Sequence, residues 1–405
     1  MGHLSVPGTS LPSLTVSGDL TLTEQQAINY LNQANYASNQ VIMSLDDVAF
    51  SAETSAGLPT TWWGLGYSDT LDAFCAVADV YAGGSSNYVM TSPDGINWTR
   101  QNLPVDVGFR RVCWDSTHNR WVAIGKYRAG YSDDGGVTWV SNVAPGGNNS
   151  VTSAVVHSPT LGITVSISSD GNTANDQAYW SDDGGATWNL ATTMPSATKY
   201  TYNDVIWVGG GHNYFLAISS NNIGSELMYS LDGKNWQYLL PGLIPSSQWR
   251  GLAYNEDDDK VLAISNRATG GAGRTMIATG TLGSTWGINN PGAPFNETNW
   301  EKVCWDRTNR NFVAVANSLG AGTTTIATSP DGVHWTMRNR PTTAAYQQIV
   351  YGGGNNNRVV GLASNQTTGT FAGTLANSPH AGNPDFWVPM RVNGIAGYFP
   401  LWYGS

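Results

Sequence analysis

The stretch from Ser132 to Trp139, Ser-Asp-Asp-Gly-Gly-Val-Thr-Trp, decides the fold because it recurs almost unchanged from Ser181 to Trp188. A version one residue shorter, with Ser, Asp, Gly and Trp in the same order, occurs three more times, and two eroded copies complete the series. The shorter copies run from Ser92 to Trp98, Ser230 to Trp236 and Ser329 to Trp335, and the eroded ones from Thr279 to Trp286 and Ser378 to Trp387. Self-similarity at a nearly fixed spacing is the signature of a repeat architecture.

The last Trp of each copy gives the length of the repeat. These residues are Trp98, Trp139, Trp188, Trp236, Trp286, Trp335 and Trp387, so successive copies lie 41 to 52 residues apart. The spacing predicts seven units between residues 60 and 390.

A second pattern lies upstream in each unit. The sequence from Arg111 to Gly125 is echoed closely from Lys302 to Ala316, and each has an apolar run, a polar turn and another apolar run. This pattern is typical of a β-hairpin. Together with the strands on either side of the Ser-Asp turn, it predicts four antiparallel strands per unit, which is one propeller blade. The expected fold class is therefore all-β, a seven-bladed β-propeller of four-stranded antiparallel blades.

The chemistry of the repeated turn favours a structural role. Its Asp can accept hydrogen bonds from backbone N–H groups of the turn, its Gly adopts backbone angles that other residues resist, and its Trp packs on the sheet. We assign this role to Ser92, Asp94, Trp98, Ser132, Asp134, Trp139, Ser181, Asp183, Trp188, Ser230, Asp232, Trp236, Ser329, Asp331 and Trp335.

Composition excludes several classes of protein. The chain has 405 residues, of which 47 are Gly, 17 Trp and 18 Tyr, and only 12% are charged, which fits short strands, tight turns and aromatic packing. A net charge of -10 argues against nucleic-acid binding. Cys75, Cys113 and Cys304 are too isolated for a disulfide framework or a metal site and are expected to be buried. No signal-peptide pattern or long apolar run predicts export or membrane insertion.

The two ends differ from the repeats. Residues 1–59 are expected to be an N-terminal attachment segment, with a short strand from Leu14 to Leu22 and an amphipathic helix over about 24–43. Two interpretations of that helix stay open, packing against the propeller or attachment and oligomerisation. The aromatic C-terminal segment, residues 391–405, is expected to dock on the propeller or to close it.

The repeated turns resemble the Asp-box, or bacterial neuraminidase repeat, of sialidases, sortilin-like receptors, photosystem assembly factors and many phage tail proteins. The resemblance covers about four-fifths of the chain and implies the fold more than any one activity. Sialidases use three arginines, a Tyr nucleophile paired with Glu, an Asp acid/base and an early Arg-Ile-Pro motif, and this chain has no Arg-Ile-Pro and no Arg before Arg100. Glu226, Asp257 and Asp259 are possible glycosidase carboxylates only by position.

No other catalytic or metal-binding pattern is found, so we predict that the chain is not an enzyme and needs no cofactor. The six histidines are dispersed and are expected in surface turns. The glycine runs Gly209–Gly211 and Gly352–Gly354 precede strands, so they are expected to be hairpin turns and not phosphate loops.

Ligand recognition is expected on the face opposite the Ser-Asp turns, where loops such as 168–177, 219–226, 265–275 and 317–323 vary in length. Stacking and charge-assisted contacts to a sugar or protein could come from these residues: Tyr127, Arg128, Trp249, Arg250, Arg267 and Arg274. Solvent exposure or packing between blades is the alternative for each of them.

These features together predict a phage virion structural protein of the tail, fibre or spike, located in the virion. Its N-terminal segment would attach to other virion proteins, and its propeller would bind a host surface glycan or a protein, with homo-oligomerisation possible. The alternatives are a bacterial Asp-box lectin or adhesin, an assembly factor, and a sialidase-like glycosidase.

Overall fold

The computed structural model describes twenty segments of the chain. They are residues 3–4, 14–15, 40–44, 51–54, 61–79, 88–102, 108–126, 128–144, 152–168, 177–195, 201–220, 227–239, 247–266, 273–292, 295, 298–317, 326–339, 345–364, 386–392 and 395–401. Every regular element of more than one residue in these segments is a β-strand. No helix in them is long and apolar enough to cross a membrane.

Six blades are each built from four consecutive antiparallel strands. Their strands are β5 Thr61–Ser68, β6 Ala73–Asp79, β7 Tyr88–Ser92 and β8 Thr99–Asn102; β9 Arg111–Asp115, β10 Arg120–Ile124, β11 Arg128–Ser132 and β12 Val140–Val143; β13 Thr152–Ser158, β14 Ile163–Ser168, β15 Ala178–Ser181 and β16 Asn189–Leu190; β17 Thr201–Val208, β18 Tyr214–Ser220, β19 Leu227–Ser230 and β20 Gln237–Tyr238; β21 Gln248–Asn255, β22 Lys260–Asn266, β23 Thr275–Thr279 and β24 Gly287–Asn289; β25 Trp300–Asp306, β26 Asn311–Ala316, β27 Ile326–Ser329 and β28 Thr336–Arg338.

A further four-stranded sheet combines both ends of the repeat region. Strands β29 Ala345–Gly352 and β30 Arg358–Ser364 are joined by β3 Gln40–Ser44 and β4 Ser51–Thr54, with Val41 opposite Leu362. The expectation of seven contiguous units is therefore corrected to six contiguous blades and one composite sheet. Backbone pairing decides this, because β3 supplies the hydrogen-bonding partner that the third strand of a seventh unit would have supplied.

The first strands of the seven sheets are neighbours in a closed cycle, β5, β9, β13, β17, β21, β25, β29 and again β5. They surround a common axis. A register shift follows the start of most of them, as between Trp249 and Gly251 or Trp300 and Lys302. The residue before the shift is often a large buried aromatic, and such residues pack between adjacent sheets.

The ends of the chain differ from expectation. Residues 40–43, assigned to the end of a helix, lie in strand β3, and the rest of that helix lies outside the described residues. Ser38–Thr367 form one compact unit, and β3 and β4 within it precede residue 59. Short strands β1 His3–Leu4 and β2 Leu14–Thr15 pair with each other, so the predicted strand from Leu14 begins where expected.

The C-terminal segment does not supply the strands that complete the composite sheet. Strands β31 Phe386–Val392 and β32 Ile395–Leu401 form a two-stranded hairpin in the second compact unit, Met1–Ala37 with Thr368–Ser405. Trp387, taken as the last repeat Trp, lies in this hairpin and not at the edge of a four-stranded blade. Residues 378–385, which precede it in the eroded repeat, lie outside the described residues.

The repeated turns have the expected hydrogen bonds. In the turn from Ser132 to Trp139, Asp134 Oδ1 accepts the N–H groups of Val137 and Thr138 at 3.1 and 2.8 Å, and its Oδ2 accepts the Thr138 hydroxyl at 2.6 Å. Trp139 Nε1 donates to the carbonyl of Gly136. We call the five turns with this Asp, at 94, 134, 183, 232 and 331, the Asp turns.

Candidate binding cleft

Aromatic side chains recur at one position near the end of each first strand. Each lies five residues after a buried residue at or just before the start of its strand, and they are Tyr67, Trp114, His157, Trp207, Tyr254, Trp305 and Tyr351. We call these residues the axial aromatic set. Because the first strands surround the axis, the set brings one aromatic ring from each of the seven sheets to the same end of the axis.

This end of the axis carries the Asp turns as well. The side chain of Asn356, in the turn after β29, donates to Asp72 Oδ1 at 2.8 Å and to the carbonyl of Pro93 at 3.1 Å. Asp72 lies in the hairpin turn after β5, and Pro93 lies in an Asp turn. The first hairpin turns and the Asp turns therefore share one face of the molecule, as alternate connections of antiparallel strands must.

A cleft of about 610 Å³ opens on this turn face. It spans the neighbouring strands β21, β25, β29 and β5 and contains four members of the axial aromatic set. Its principal side chains are Tyr67, Asp69, Tyr254, Glu256, Cys304, Trp305, Arg307, Tyr351 and Asn357. Its volume falls within the range of small-molecule sites, which are typically lined by aromatic groups and a few polar ones.

Tyr67 joins the two ends of the propeller region at one wall of the cleft. Its hydroxyl donates to Asp72 Oδ1 at 2.5 Å and also lies 2.9 Å from the carbonyl of Gly353. The hydrogen bond from Tyr67 lowers the pKa of Asp72 to about 2. The Tyr67 ring is held in place by groups from two sheets.

Tyr254 is fixed by a second carboxylate. Its hydroxyl donates to Asp259 Oδ1 at 3.1 Å, and the same oxygen lies 2.7 Å from His212 Nε2. Desolvation and the hydrogen bond to Asp259 raise the pKa of Tyr254 to about 12. The phenol therefore stays protonated and polar at neutral pH.

Asp257 holds two side chains of the far wall of the cleft in place. This carboxylate accepts Trp305 Nε1 at 3.0 Å and Arg307 Nε at 3.1 Å, and Arg307 Nη1 lies 2.8 Å from Glu256. The hydrogen bond from Trp305 is the main cause of the lowered pKa of Asp257, and Arg307 adds to it. Glu256 and Arg307 are both exposed. Either side chain can therefore release the other and bind a ligand instead.

The turn face is acidic. The first hairpin turns hold Asp69, Asp72, Asp115, Glu256, Asp257, Asp258, Asp259 and Asp306, and the Asp turns hold Asp94, Asp133, Asp134, Asp182, Asp183, Asp232 and Asp331. These are about half of the 29 acidic residues of the chain. A face with this charge repels anionic ligands and accepts hydroxyl or cationic groups.

The predicted ligand residues that the structure describes do not line this cleft. Trp249 is fully buried and is corrected to a core residue, because its ring packs between two sheets. Arg250 is half-buried with Nη1 3.4 Å from Asn203 Oδ1, Arg274 is half-buried, and Arg128 is exposed. Tyr127 and Arg267 lie outside the described residues, as do most of the loops on that face.

The structure also changes the assignment of two polar residues. His157 is only 7% exposed and lies in a strand, 3.4 Å from the buried Asp115, so it is not a surface-turn histidine. Desolvation lowers its pKa. Cys304 lines the cleft, whereas Cys75 is buried as expected. No group of His, Cys, Asp and Glu among the described residues could hold a metal ion.

The axial aromatic set could have been found in the sequence. Trp-Asp at Trp114 and Trp305 and Tyr-Asn at Tyr254 stand just before the polar turn of the first hairpin. The hairpin pattern alone does not distinguish these positions from the rest of the strand. Their convergence at the axis depends on the order of the blades, which the local pattern does not contain.

Solved structures resemble this chain in fold. YCF48 from Cyanidioschyzon merolae matches with a TM-score of 0.55 and 15% identity over 77% of this chain and 95% of its own. The Swd1 β-propeller domain of Myceliophteria thermophila matches with a TM-score of 0.53 and 9% identity over 81% of this chain and 100% of its own. This chain has the β-propeller fold. The GH74 enzyme of Niastella koreensis also resembles it, with a TM-score of 0.54 and 13% identity over 74% of this chain and 54% of that one.

The propellers that this chain resembles thus include an enzyme, and at these identities the likeness extends to the fold alone. No protein-family model matches the sequence. A search of curated proteins finds no match.

Proposed function

We propose that this chain is a non-enzymatic binding protein whose propeller holds a neutral glycan in the cleft on the turn face. The observation that carries the proposal is the convergence of Tyr67, Tyr254, Trp305 and Tyr351 on one cleft of about 610 Å³. Aromatic rings stack on the apolar faces of sugars, and carboxylates beside them accept hydrogen bonds from sugar hydroxyls.

The charges of the cleft favour a neutral sugar over an acidic one. Asp69 and Glu256 line the cleft, and Arg307 is its one cationic lining residue among those described. Arg307 is already shared between Glu256 and Asp257. An anionic sugar would have to displace these carboxylates on a face where acidic side chains outnumber basic ones, which opposes its binding.

We propose further that the protein acts in a virion, at a phage tail, fibre or spike. The Ser-Asp-Gly-Trp turns resemble the Asp-box, and the composite sheet would be the seventh blade of such a propeller. The low share of charged residues and the segment before the propeller support this role. Residues 1–37 belong to a compact unit separate from the propeller, which suits attachment to another virion protein.

A glycan array tests the binding proposal. We expect the purified protein to retain one class of neutral glycan, and Tyr351→Ala to weaken that binding at least about tenfold, equivalent to about 1.4 kcal/mol. Tyr229→Ala is the matched control, because Tyr229 lies on the third strand of another blade, away from the cleft. Equal loss in both variants, or no binding of neutral glycans, would contradict the proposal.

Immunogold electron microscopy tests the virion role separately. An antibody against the protein should label tails, fibres or spikes of particles from infected cells. Glycan binding without labelled particles would support the alternative of a bacterial lectin or adhesin. Neither glycan binding nor labelled particles, with capture of one specific client protein instead, would support an assembly factor.

One observation favours a glycoside hydrolase as the second candidate. The cleft contains two carboxylates in different environments, because partial desolvation raises the pKa of Asp69 whereas Glu256 pairs with Arg307. Such a difference is what acid and base carboxylates need. Release of reducing sugar from a bound glycan, abolished in Glu256→Gln, would replace the non-enzymatic proposal with this one.

A further inference from the structure

A small cavity lies beside the cleft, on the axis between the first strands. Its volume is about 130 Å³, and strands β9, β13, β17, β21, β25 and β29 all contribute to its lining. Leu252 and Val303 line both the cavity and the cleft. Lys302 of the cavity precedes Trp305 of the cleft by three places, which is about 10 Å along a strand. A ligand held in the cleft therefore has the cavity next to it.

Lys302 offers the cavity one hydrogen-bond donor. Its ammonium group has three N–H donors, of which Asp204 Oδ1 at 2.7 Å and the carbonyl of Asn203 at 3.2 Å accept two. Among the described residues these two groups are its acceptors. The third N–H is therefore left for a carbonyl group of a ligand.

Gln348 offers the cavity one hydrogen-bond acceptor. This residue lines the cavity, and its Oε1 is buried without a hydrogen-bond partner among the described residues. A buried acceptor without a partner costs free energy. An N–H donor that a ligand brings to Gln348 would remove this cost.

The charged groups of the cavity are already balanced. Burial lowers the pKa of Lys302, and the negative charges of Asp204 and Glu301 oppose this effect. Backbone carbonyls accept the N–H groups of Arg111. Two acidic groups therefore offset the positive charges of Lys302 and Arg111, and a neutral ligand group suits the cavity better than an ion.

The size and the apolar lining of the cavity narrow the choice of that group. Its other lining side chains are aliphatic, among them Ala154, Val205 and Ile349. Its volume corresponds to about four water molecules at about 30 Å³ each, which is too little for a sugar ring. An acetamido group has four non-hydrogen atoms and combines an N–H donor, a carbonyl acceptor and a methyl group. It therefore matches the polar groups, the apolar lining and the volume together.

We propose that this cavity receives the acetamido group of an N-acetylhexosamine whose sugar ring lies in the cleft. The N–H of the group donates to Gln348 Oε1, its carbonyl accepts from Lys302 Nζ, and its methyl group contacts the aliphatic lining. This inference rests on the proposed glycan binding. It narrows the ligand class to neutral glycans that contain an N-acetylhexosamine.

Matched glycans test the acetamido subsite by isothermal titration. Each pair differs only in having acetamido or hydroxyl groups at the same carbons, as in chitotriose with cellotriose and N-acetylgalactosamine with galactose. We expect the acetamido member of at least one pair to bind at least about tenfold more tightly than the hydroxyl member. Binding of neutral glycans without this preference in any pair would overturn the inference and leave the proposed function standing. Failure to bind any neutral glycan would overturn both.

Three variants connect the preference to the cavity. Gln348→Met removes the acceptor at similar side-chain length, and we expect it to weaken binding of the acetamido member about tenfold and of the hydroxyl member much less. Ala154→Val narrows the cavity without changing its polar groups and should lower the same preference. Gln101→Met, on the outer strand β8, is the matched control and should keep the full preference. A full preference in folded Gln348→Met and Ala154→Val proteins would overturn the inference.

Discussion

At the scale of single residues, the Asp turns show why two glycines stand side by side. Gly135 and Gly136 have φ angles of +78° and +96°, a region that residues with a Cβ rarely adopt. A Cβ on Gly135 would meet only Leu71 at 3.9 Å, whereas one on Gly136 would lie 2.7 Å from Thr91 Cγ2. An alanine would therefore strain the backbone at both positions, and it would clash with a neighbouring side chain only at Gly136.

The two glycines provide a matched pair of variants. We expect Gly135→Ala to lower the free energy of unfolding by about 1 kcal/mol from strain alone. Gly136→Ala should cost about 1 to 3 kcal/mol more, because Thr91 must move. Urea denaturation of both proteins measures the difference, and equal losses would show that packing against Thr91 does not matter.

The Asp turns also predict how stability depends on pH. Burial raises the pKa of Asp134, but hydrogen bonds from Thr138, Ser132 and Val137 outweigh it, and the net pKa is lowered. The net shift has the same sign in the other four Asp turns. A lowered folded pKa gives stability that is complete above the unfolded value near 4 and is lost as the pH falls through the folded values.

We therefore expect a steep fall of the Tm below about pH 4, after a smaller decline below about pH 6.5, because burial lowers the pKa of His157 and the unfolded chain takes up that proton first. Asp134→Asn should lower the free energy of unfolding at pH 7 by about 1 to 2 kcal/mol. Asp133→Asn is the control, because this neighbouring acid is 56% exposed and forms a surface ion pair with Arg120. Equal effects of the two variants would contradict the role given to the turn carboxylate.

At the scale of elements, one strand pairing completes the composite sheet. Strand β3 pairs with β30 from Val41 to Ser44, and β4 pairs with β3. Without them, the backbone of Val359–Leu362 would form an unpaired sheet edge. The residues paired at this junction, such as Val41 and Leu362, lie more than 300 residues apart along the chain. The junction therefore links the beginning and the end of the propeller region.

Truncation tests this junction. Deletion of residues 1–56 removes β3 and β4, and we expect the Tm to fall by about 10 °C or more or the protein to aggregate through the open edge. Deletion of residues 1–37 is the matched control, since it stops before the propeller unit at Ser38. Circular-dichroism melts measure the Tm of both deletion variants. Equal Tm values would show that the propeller is stable without the pairing of β3 with β30.

At the scale of the whole molecule, charge is unevenly distributed along the axis. The turn face carries about half of the acidic residues, whereas Arg111 and Lys302 line a cavity of about 130 Å³ between the first strands. The Lys302–Asp204 pair joins β25 to β17, which are separated in the ring by β21. This pair is therefore a link across the axis and not between adjacent sheets.

Breaking that link should be costly. Lys302→Met would leave Asp204 buried without its cation, and we expect the free energy of unfolding to fall by about 3 to 5 kcal/mol. The double variant Lys302→Met with Asp204→Leu should recover most of the loss, because neither charge remains buried. Guanidinium denaturation measures both, and a double variant as unstable as the single one would show that the loss comes from packing.

The sequence by itself determined the propeller and its repeated turns, because each turn is a local structure. Ser132, Asp134 and Gly136 form their hydrogen bonds within eight residues, so their spacing alone predicts the turn and the strands beside it. Only the tertiary structure decided that β3 completes the last sheet, that Trp249 is core, and that Tyr67 meets Tyr351 in one cleft. These outcomes depend on contacts between residues far apart in the chain, and such contacts follow from the order of the sheets around the axis.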